Sequence, residues 1–286
     1  MWMLYTLLYG LLKGGREIVK KKSMEKSSVM EVLFFYTLLA FLFVVPTAPK
    51  VGGVCGRDMI LIALKSFVIF VAWLMSFRAI KQIPVSFYGV IDLSRVLFSM
   101  LLAFAFLNER LGMIGIFGLI LVSVGMIFCN TTIQKKGEKV KTKLIVFALC
   151  SSFLNAVSGT MDKVLTKTVN STQLQFWYML FLVLYYIIYI IVTKEKIHFK
   201  SMIKNYWIWI LAIMFVIGDK AIFLANMEAG SQVMIMTLIK QSCCLVSIIG
   251  GRIVFKEKNI RYKIIGMVIV VSGILLATLG KELGGM

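Results

Sequence analysis

Apolar and polar residues along this chain fall into long blocks rather than into the short alternation of strands. Apolar runs cover residues 2–19, 29–46, 59–77, 84–106, 112–129, 144–161, 173–193, 205–225, 232–255 and 262–280, broken by charge or by Gly and Pro. A bilayer core of about 30 Å takes about 20 apolar residues per helical crossing. The pattern therefore predicts ten transmembrane helices in an all-α membrane protein. Stops as short as Asn108-Glu109-Arg110-Leu111-Gly112 leave room only for tight antiparallel hairpins. The first run lacks a basic start and a small-residue cleavage site, and lysines follow it, so it reads as a helix and not as a removable signal.

The longest polar run, Gln134 to Lys143, lies near the midpoint and prompts a search for a repeat. Leu107-Asn108-Glu109-Arg110 and the helix after it match Phe255-Lys256-Glu257-Lys258 and its following helix at an offset of 148 residues. The same offset carries Gly118 to Gly266 and Gly125 to Gly273. Glycines seven apart share nearly one helix face and permit close backbone approach. The expected organisation is a first five-helix repeat over 1–133, a basic linker over 134–143 and a second repeat over 144–286. Five is odd, so the copies are expected to be inverted in the membrane around a central cavity, with a substrate site near the midplane.

Composition agrees with this pattern. Of 286 residues, 60% are hydrophobic, more than a soluble fold of this length carries. The formal net charge of +19 would suggest nucleic acid in a soluble protein. Here the bases sit in connections between apolar runs, which points to topology and anionic lipid headgroups, with no nucleic-acid partner. The connections spanning Lys20–Lys26, Arg78–Lys81, Lys135–Lys143, Lys194–Lys204 and Lys256–Lys263 hold 19 Lys and Arg. The opposite side holds 6: Lys50, Arg57, Arg110, Lys163, Lys167 and Lys281. Basic residues are retained in the cytoplasm, so both termini are expected outside the inner (cell) membrane.

The run Leu101–Leu111, followed by a helix with spaced glycines, resembles the drug/metabolite transporter superfamily and its EamA-type ten-helix members. So does Phe77–Ser86 leading into the fourth helix. In the second half Ala229-Gly230-Ser231 and Lys256-Glu257-Lys258 stand at the matching places. The proline common in the middle of the fourth helix is absent, and Asp92-Leu93-Ser94-Arg95 stands there. The resemblance implies alternating access around a cavity lined largely by the third, fourth, eighth and ninth helices, with the first and sixth contributing.

Ionisable residues inside apolar runs are the candidates for chemistry. Bases are Lys13, Arg16, Lys65, Arg95, Lys220, Lys240 and Arg252; acids are Glu17, Asp92, Asp162 and Asp219. Each costs about 2.5–3.5 kcal/mol at mid-helix on translocon scales, so each needs a partner, an interface or water. Lys240 has no acid in its own helix, and the repeat offset maps it onto Asp92. Either Lys240 holds a substrate anion with Asp92 or Arg95 at the other end, or Asp92 and Lys240 bridge the halves. Asp92 and Arg95 are also spaced to pair within one helix. Lys13 matches Asn155 of the second half and joins the cavity candidates, with Arg16 and Glu17 near enough to the basic end to snorkel. Lys65 and Arg252 read as helix-end residues. Gln241, Asn155, Trp73 and Tyr88 complete the candidate substrate-binding set with Lys240, Asp92, Arg95 and Lys13. His198 reads as an interfacial residue and the five cysteines as small buried hydrophobes.

Enzyme readings have little footing. The aspartates lack the flanking pattern of an intramembrane aspartyl protease, no phosphate-binding glycine loop occurs, and one histidine without a ligand cluster gives no metal centre. No cofactor is expected. The resemblance implies secondary transport or export of a small polar metabolite by a monomer or a homodimer, and the surplus of bases over acids points to an anionic or zwitterionic one such as an amino acid. Two rivals are a flippase for a lipid-linked carrier and a non-transporting membrane scaffold.

Overall fold

A computed structural model describes residues 1–107, 113–135, 140–228, 230–231, 236, 239–240, 242–257 and 260–283. Glu109, Lys258 and the candidate Gln241 lie outside the described residues. The described chain is helical, with no strand. In order run α1 (Trp2–Ser23), α2 (Val29–Val44) with a 3-10 turn over Val45–Lys50, α3 (Gly56–Gln82), α4 (Val85–Asp92) and α5 (Ser94–Leu107). There follow α6 (Met113–Lys135), α7 (Thr142–Leu165), α8 (Ser171–Thr193), the short α9 (Phe199–Lys204), α10 (Tyr206–Met227), α11 (Ser242–Phe255) and α12 (Ile260–Leu283).

Among the described residues, five segments are long and apolar enough to cross a membrane: Val29–Lys50, Gly56–Gln82, Thr142–Leu165, Ser171–Thr193 and Tyr206–Met227. Large side chains on the outside of the bundle are hydrocarbon. Ile188, Ile191 and Val192 of α8, Phe117 of α6 and Ile253 of α11 all face outward. Lysines, arginines and aspartates are buried inside. That inversion of the soluble pattern marks lipid as the solvent.

Local sequence explains the boundaries. Ser28 and Asn170 open α2 and α8 as capping boxes with Glu31 and Gln173 three residues on, satisfying backbone donors at each N-terminus. The fourth apolar run is interrupted at Leu93 without a proline. Leu93 N–H donates to Val90 O at 3.2 Å and Val96 N–H to Leu93 O at 3.0 Å, the i to i+3 tightening of a 3-10 turn. α4 thus ends on Asp92, an acid at a negative helix end, which is tolerable only beside cations.

Basic connections gather at one end of the bundle. Lys21 donates to Ile83 O at 2.6 Å, Lys81 to Ser27 O at 3.4 Å, and Asn205 to Ser23 O at 2.9 Å. The amino terminus lies at the opposite end, 3.5 Å from Glu228.

Helices pack in defined partnerships: α1 with α10 and α11, α7 with α3 and α5, α2 with α10, and α3 with α8. Three further pairs, α2–α8, α4–α11 and α6–α12, complete the frame. Glycines set the closest crossings. A Cβ on Gly273 of α12 would fall 2.7 Å from Gly118 O and 2.8 Å from Val122 N, and one on Gly125 would fall 2.8 Å from Val270. Gly118, Gly125 and Gly273, three of the glycines singled out by the 148-residue offset, therefore lie where α6 and α12 touch. Gly10 and Gly14 of α1, four apart, do the same against the start of α11 and the residues just before it; a Cβ on Gly14 would fall 2.6 Å from Cys243 O.

Candidate functional site

The close approach of α1 to residues 239–246 brings polar residues from several helices around one internal cavity of about 90 Å³, room for a handful of waters. Tyr9, Lys13, Arg16, Glu17 and Lys20 come from α1, Lys65, Trp73 and Ser76 from α3, and Tyr88 from α4. Arg95 and Ser99 come from α5, Asn155, Gly159 and Asp162 from α7, Asp219 and Asn226 from α10, and Lys240 from just before α11.

Most of these charges are paired. Lys13 hydrogen-bonds the Asp92 carboxylate, Arg95 lies 3.2 Å from its other oxygen, and Ser152 donates to it at 3.3 Å. Arg16 meets Asp219 at 3.3 Å and stands over the rings of Tyr9 and Phe215. Lys20 meets Glu17 at 2.7 Å. Lys65, 2% exposed, meets Asp162 at 3.1 Å with its amine 3.6 Å from the centre of the Tyr178 ring. Cation–π contact and an opposed carboxylate together replace the water that Lys65 has lost.

Lys240 differs. It has neither a hydrogen bond nor an ion pair among the described residues, and its amine rests 5.7 Å from the Tyr9 ring centre. The Asp92–Lys240 bridge weighed above does not form. Equivalence by repeat places the two at similar depth but not side by side, and the tight α1 crossing puts Lys13 on Asp92 instead. The Asp92–Arg95 pairing expected within one helix does form.

Of the other candidates, Lys13, Arg95, Asn155, Trp73 and Tyr88 line the cavity, and Asp92 sits behind Lys13 and Arg95. Asn155 donates to Ser151 O at 2.7 Å, and Tyr88 shares a hydrogen bond with Ser76 at 2.6 Å. Arg16 and Glu17 do not snorkel; both are buried in the cavity wall. Lys65 is not a helix-end residue but an interior one. Arg252 is exposed on α11. Asp162 and Asp219 belong to the site although they were not chosen for it. The signal was present, since each is an acid inside an apolar run, but their partners lie far away in sequence.

Both ends of the bundle carry polar fastenings. At the basic end the Glu257 carboxylate accepts from Val85 N at 2.6 Å, Ser86 N at 3.1 Å and the Ser86 hydroxyl, capping α4 from the other half of the chain. At the far end Lys163 donates to Asn226 O and Ser231 O, both at 3.0 Å, closing off the C-terminus of α10. Glu257→Ala is expected to cost about 1 kcal/mol through loss of the cap and to speed amide exchange at Val85 and Ser86. Exchange rates unchanged from wild type would show that the cap does not hold α4.

A bundle that turns hydrocarbon outward and charge inward is a multi-pass helical membrane protein with an internal polar cavity. Residues 1–131 match the family model of the EamA-like transporter family. This bears out the resemblance to the drug/metabolite transporters and points toward membrane transport of small molecules. No curated protein matches the chain. Among solved structures, a crystal structure of a protein aligns with a TM-score of 0.68 over 97% of this chain and 96% of the other. At 13% identity that likeness shows the fold alone.

Proposed function

We propose that this chain is a secondary transporter that moves a small anionic or zwitterionic metabolite by alternating access, without ATP. The observation that carries the reading is Lys240, a cation lining a polar cavity among apolar helices with no protein partner among the described residues. A charge held there needs a counter-charge, and a substrate anion supplies one.

The same reading takes ten crossings in two inverted repeats, 1–133 and 144–286, joined by the linker 134–143. Packing supports it. Exchanging α1 with α7, α2 with α8, α3 with α10, α4–α5 with α11 and α6 with α12 turns the α1–α10 contact into α7–α3. It likewise turns α1–α11 into α7–α5 and α2–α10 into α8–α3, while α2–α8, α4–α11 and α6–α12 map onto themselves. An arrangement that maps onto itself under exchange of halves has two equivalent ways of opening, one toward each side. The inner membrane with both termini outside follows from the 19-to-6 distribution of bases. A monomer suffices, because the second half already supplies the inverted copy.

A lipid-linked carrier is the second reading. An apolar crevice lined by Leu61, Leu102, Val157, Met161, Val164 and Leu165 shares Thr160 with the polar cavity, as an acyl chain beside a polar headgroup would require.

Asn155→Cys in a cysteine-free background tests alternating access. Membrane-impermeant thiol reagents applied from each side separately are expected to label it from both sides. Labelling from one side only, under every condition, would contradict the mechanism.

A further inference from the structure

The charge ledger of the cavity says more than that the substrate is anionic. Six cations line it: Lys13, Arg16, Lys20, Lys65, Arg95 and Lys240. The acids that meet them are four: Glu17, Asp92, Asp162 and Asp219. Three bases are cancelled one for one, in the pairs Arg16–Asp219, Lys20–Glu17 and Lys65–Asp162. Two positive charges are left over, and they stand at two separate places.

One place is Lys240, whose amine rests 5.7 Å from the Tyr9 ring centre with no hydrogen bond or ion pair among the described residues. The other is the Lys13–Asp92–Arg95 trio, where one carboxylate serves two bases. Arg95 also keeps its Nε buried without a hydrogen-bond acceptor among the described residues. A guanidinium suits a planar carboxylate or a phosphate, and an ammonium suits either as a point charge.

We propose that the substrate is a dianion, a dicarboxylate or a phosphomonoester, held between Lys240 and the Arg95–Lys13 pair. A phosphomonoester carries close to two negative charges at neutral pH, and a dicarboxylate carries two at once. A zwitterionic amino acid brings no net charge and leaves both surplus cations uncompensated out of water, where an unpaired charge is costly. A monoanion compensates one. This inference rests on the transporter reading and narrows its substrate class.

The test is the melting temperature of the purified protein with succinate, glycerol 3-phosphate, lactate and alanine at matched ionic strength. Succinate or glycerol 3-phosphate is expected to stabilise the wild type, and lactate and alanine are not. Stabilisation by succinate alone assigns a dicarboxylate, and by glycerol 3-phosphate alone a phosphate ester. Lys240→Met is expected to weaken the dianion at least ~30-fold and to bring lactate level with it, because one surplus charge is gone. Arg95→Gln, at the other pole, is expected to do the same while Lys13 still balances Asp92.

Lactate or alanine stabilising the wild type as strongly as the dianions would overturn the dianion inference and leave the transporter reading in place. A full panel without effect on wild type or variants would overturn both.

Discussion

Asp92→Ala is expected to lower the stability of the folded protein by about 3–5 kcal/mol, the cost of breaking a buried ion pair by removing one partner. Asp92 is 4% exposed and accepts from Lys13 and Ser152 with Arg95 beside it. Without it two cations face each other in a cavity wall with no carboxylate between them. They also stand at the broken end of α4, where Asp92 holds α1, α5 and α7 to one point. Lys240→Met is the informative contrast. It removes a charge that has no partner among the described residues, so it is expected to leave stability unchanged or to raise it. Thermal melts of the two variants in the same detergent check both statements. Equal melting temperatures for Asp92→Ala and wild type would mean that the trio contributes nothing to the fold.

The second large effect is steric. Gly273→Val places a branched side chain where a single Cβ already falls 2.7 Å from a backbone carbonyl and 2.8 Å from a backbone nitrogen of α6. Backbone cannot swing aside as a side-chain tip can, so α6 and α12 must separate. Overpacking typically costs about 1–3 kcal/mol, and here it falls on an association that rests on close packing more than on the hydrophobic effect. Gly159→Ala is the matched control. A Cβ there meets nothing within 4 Å, because Gly159 faces the cavity. Melting temperature is expected to fall for Gly273→Val and to hold for Gly159→Ala. A Gly273→Val protein as stable as wild type would show that the crossing is looser than described.

Much of this architecture was legible in the sequence because a membrane imposes one-dimensional rules. Apolar blocks mark helices whatever their neighbours do, and the observed α6 and α12 begin within two residues of the spans predicted at 112 and 262. Gly118, Gly125 and Gly273, found by the 148-residue offset, sit at a helix crossing because only glycine lets backbones approach so closely there. Cavity residues were legible for a related reason: a lysine inside an apolar run needs an unusual environment, and Lys13, Arg95 and Lys240 all line the cavity.

Apart from Asp92 with Arg95, pairing was not legible. Which carboxylate meets which base depends on helix rotation and register, and those depend on contacts between distant segments. Lys65 and Asp162 read separately as a helix-end base and an unassigned acid, yet they are partners. Lys240 and Asp92 are related by the repeat and do not meet. The interruption at Leu93 was hidden for another reason. It arises from 3-10 hydrogen bonding beside a compensated acid and not from the proline that usually signals a break. Glu257 stood out as a mark of the repeat, but its work as a cap on α4 depends on a contact across 172 residues of chain.

The most direct measurement of the central claim is efflux from proteoliposomes preloaded with an equimolar mixture of small anionic, zwitterionic and cationic metabolites, followed by mass spectrometry. The account predicts that at least one anionic or zwitterionic component leaves faster than from protein-free liposomes, and that Lys240→Met abolishes the difference. Efflux no faster than from empty liposomes, or loss of cations alone, would contradict it.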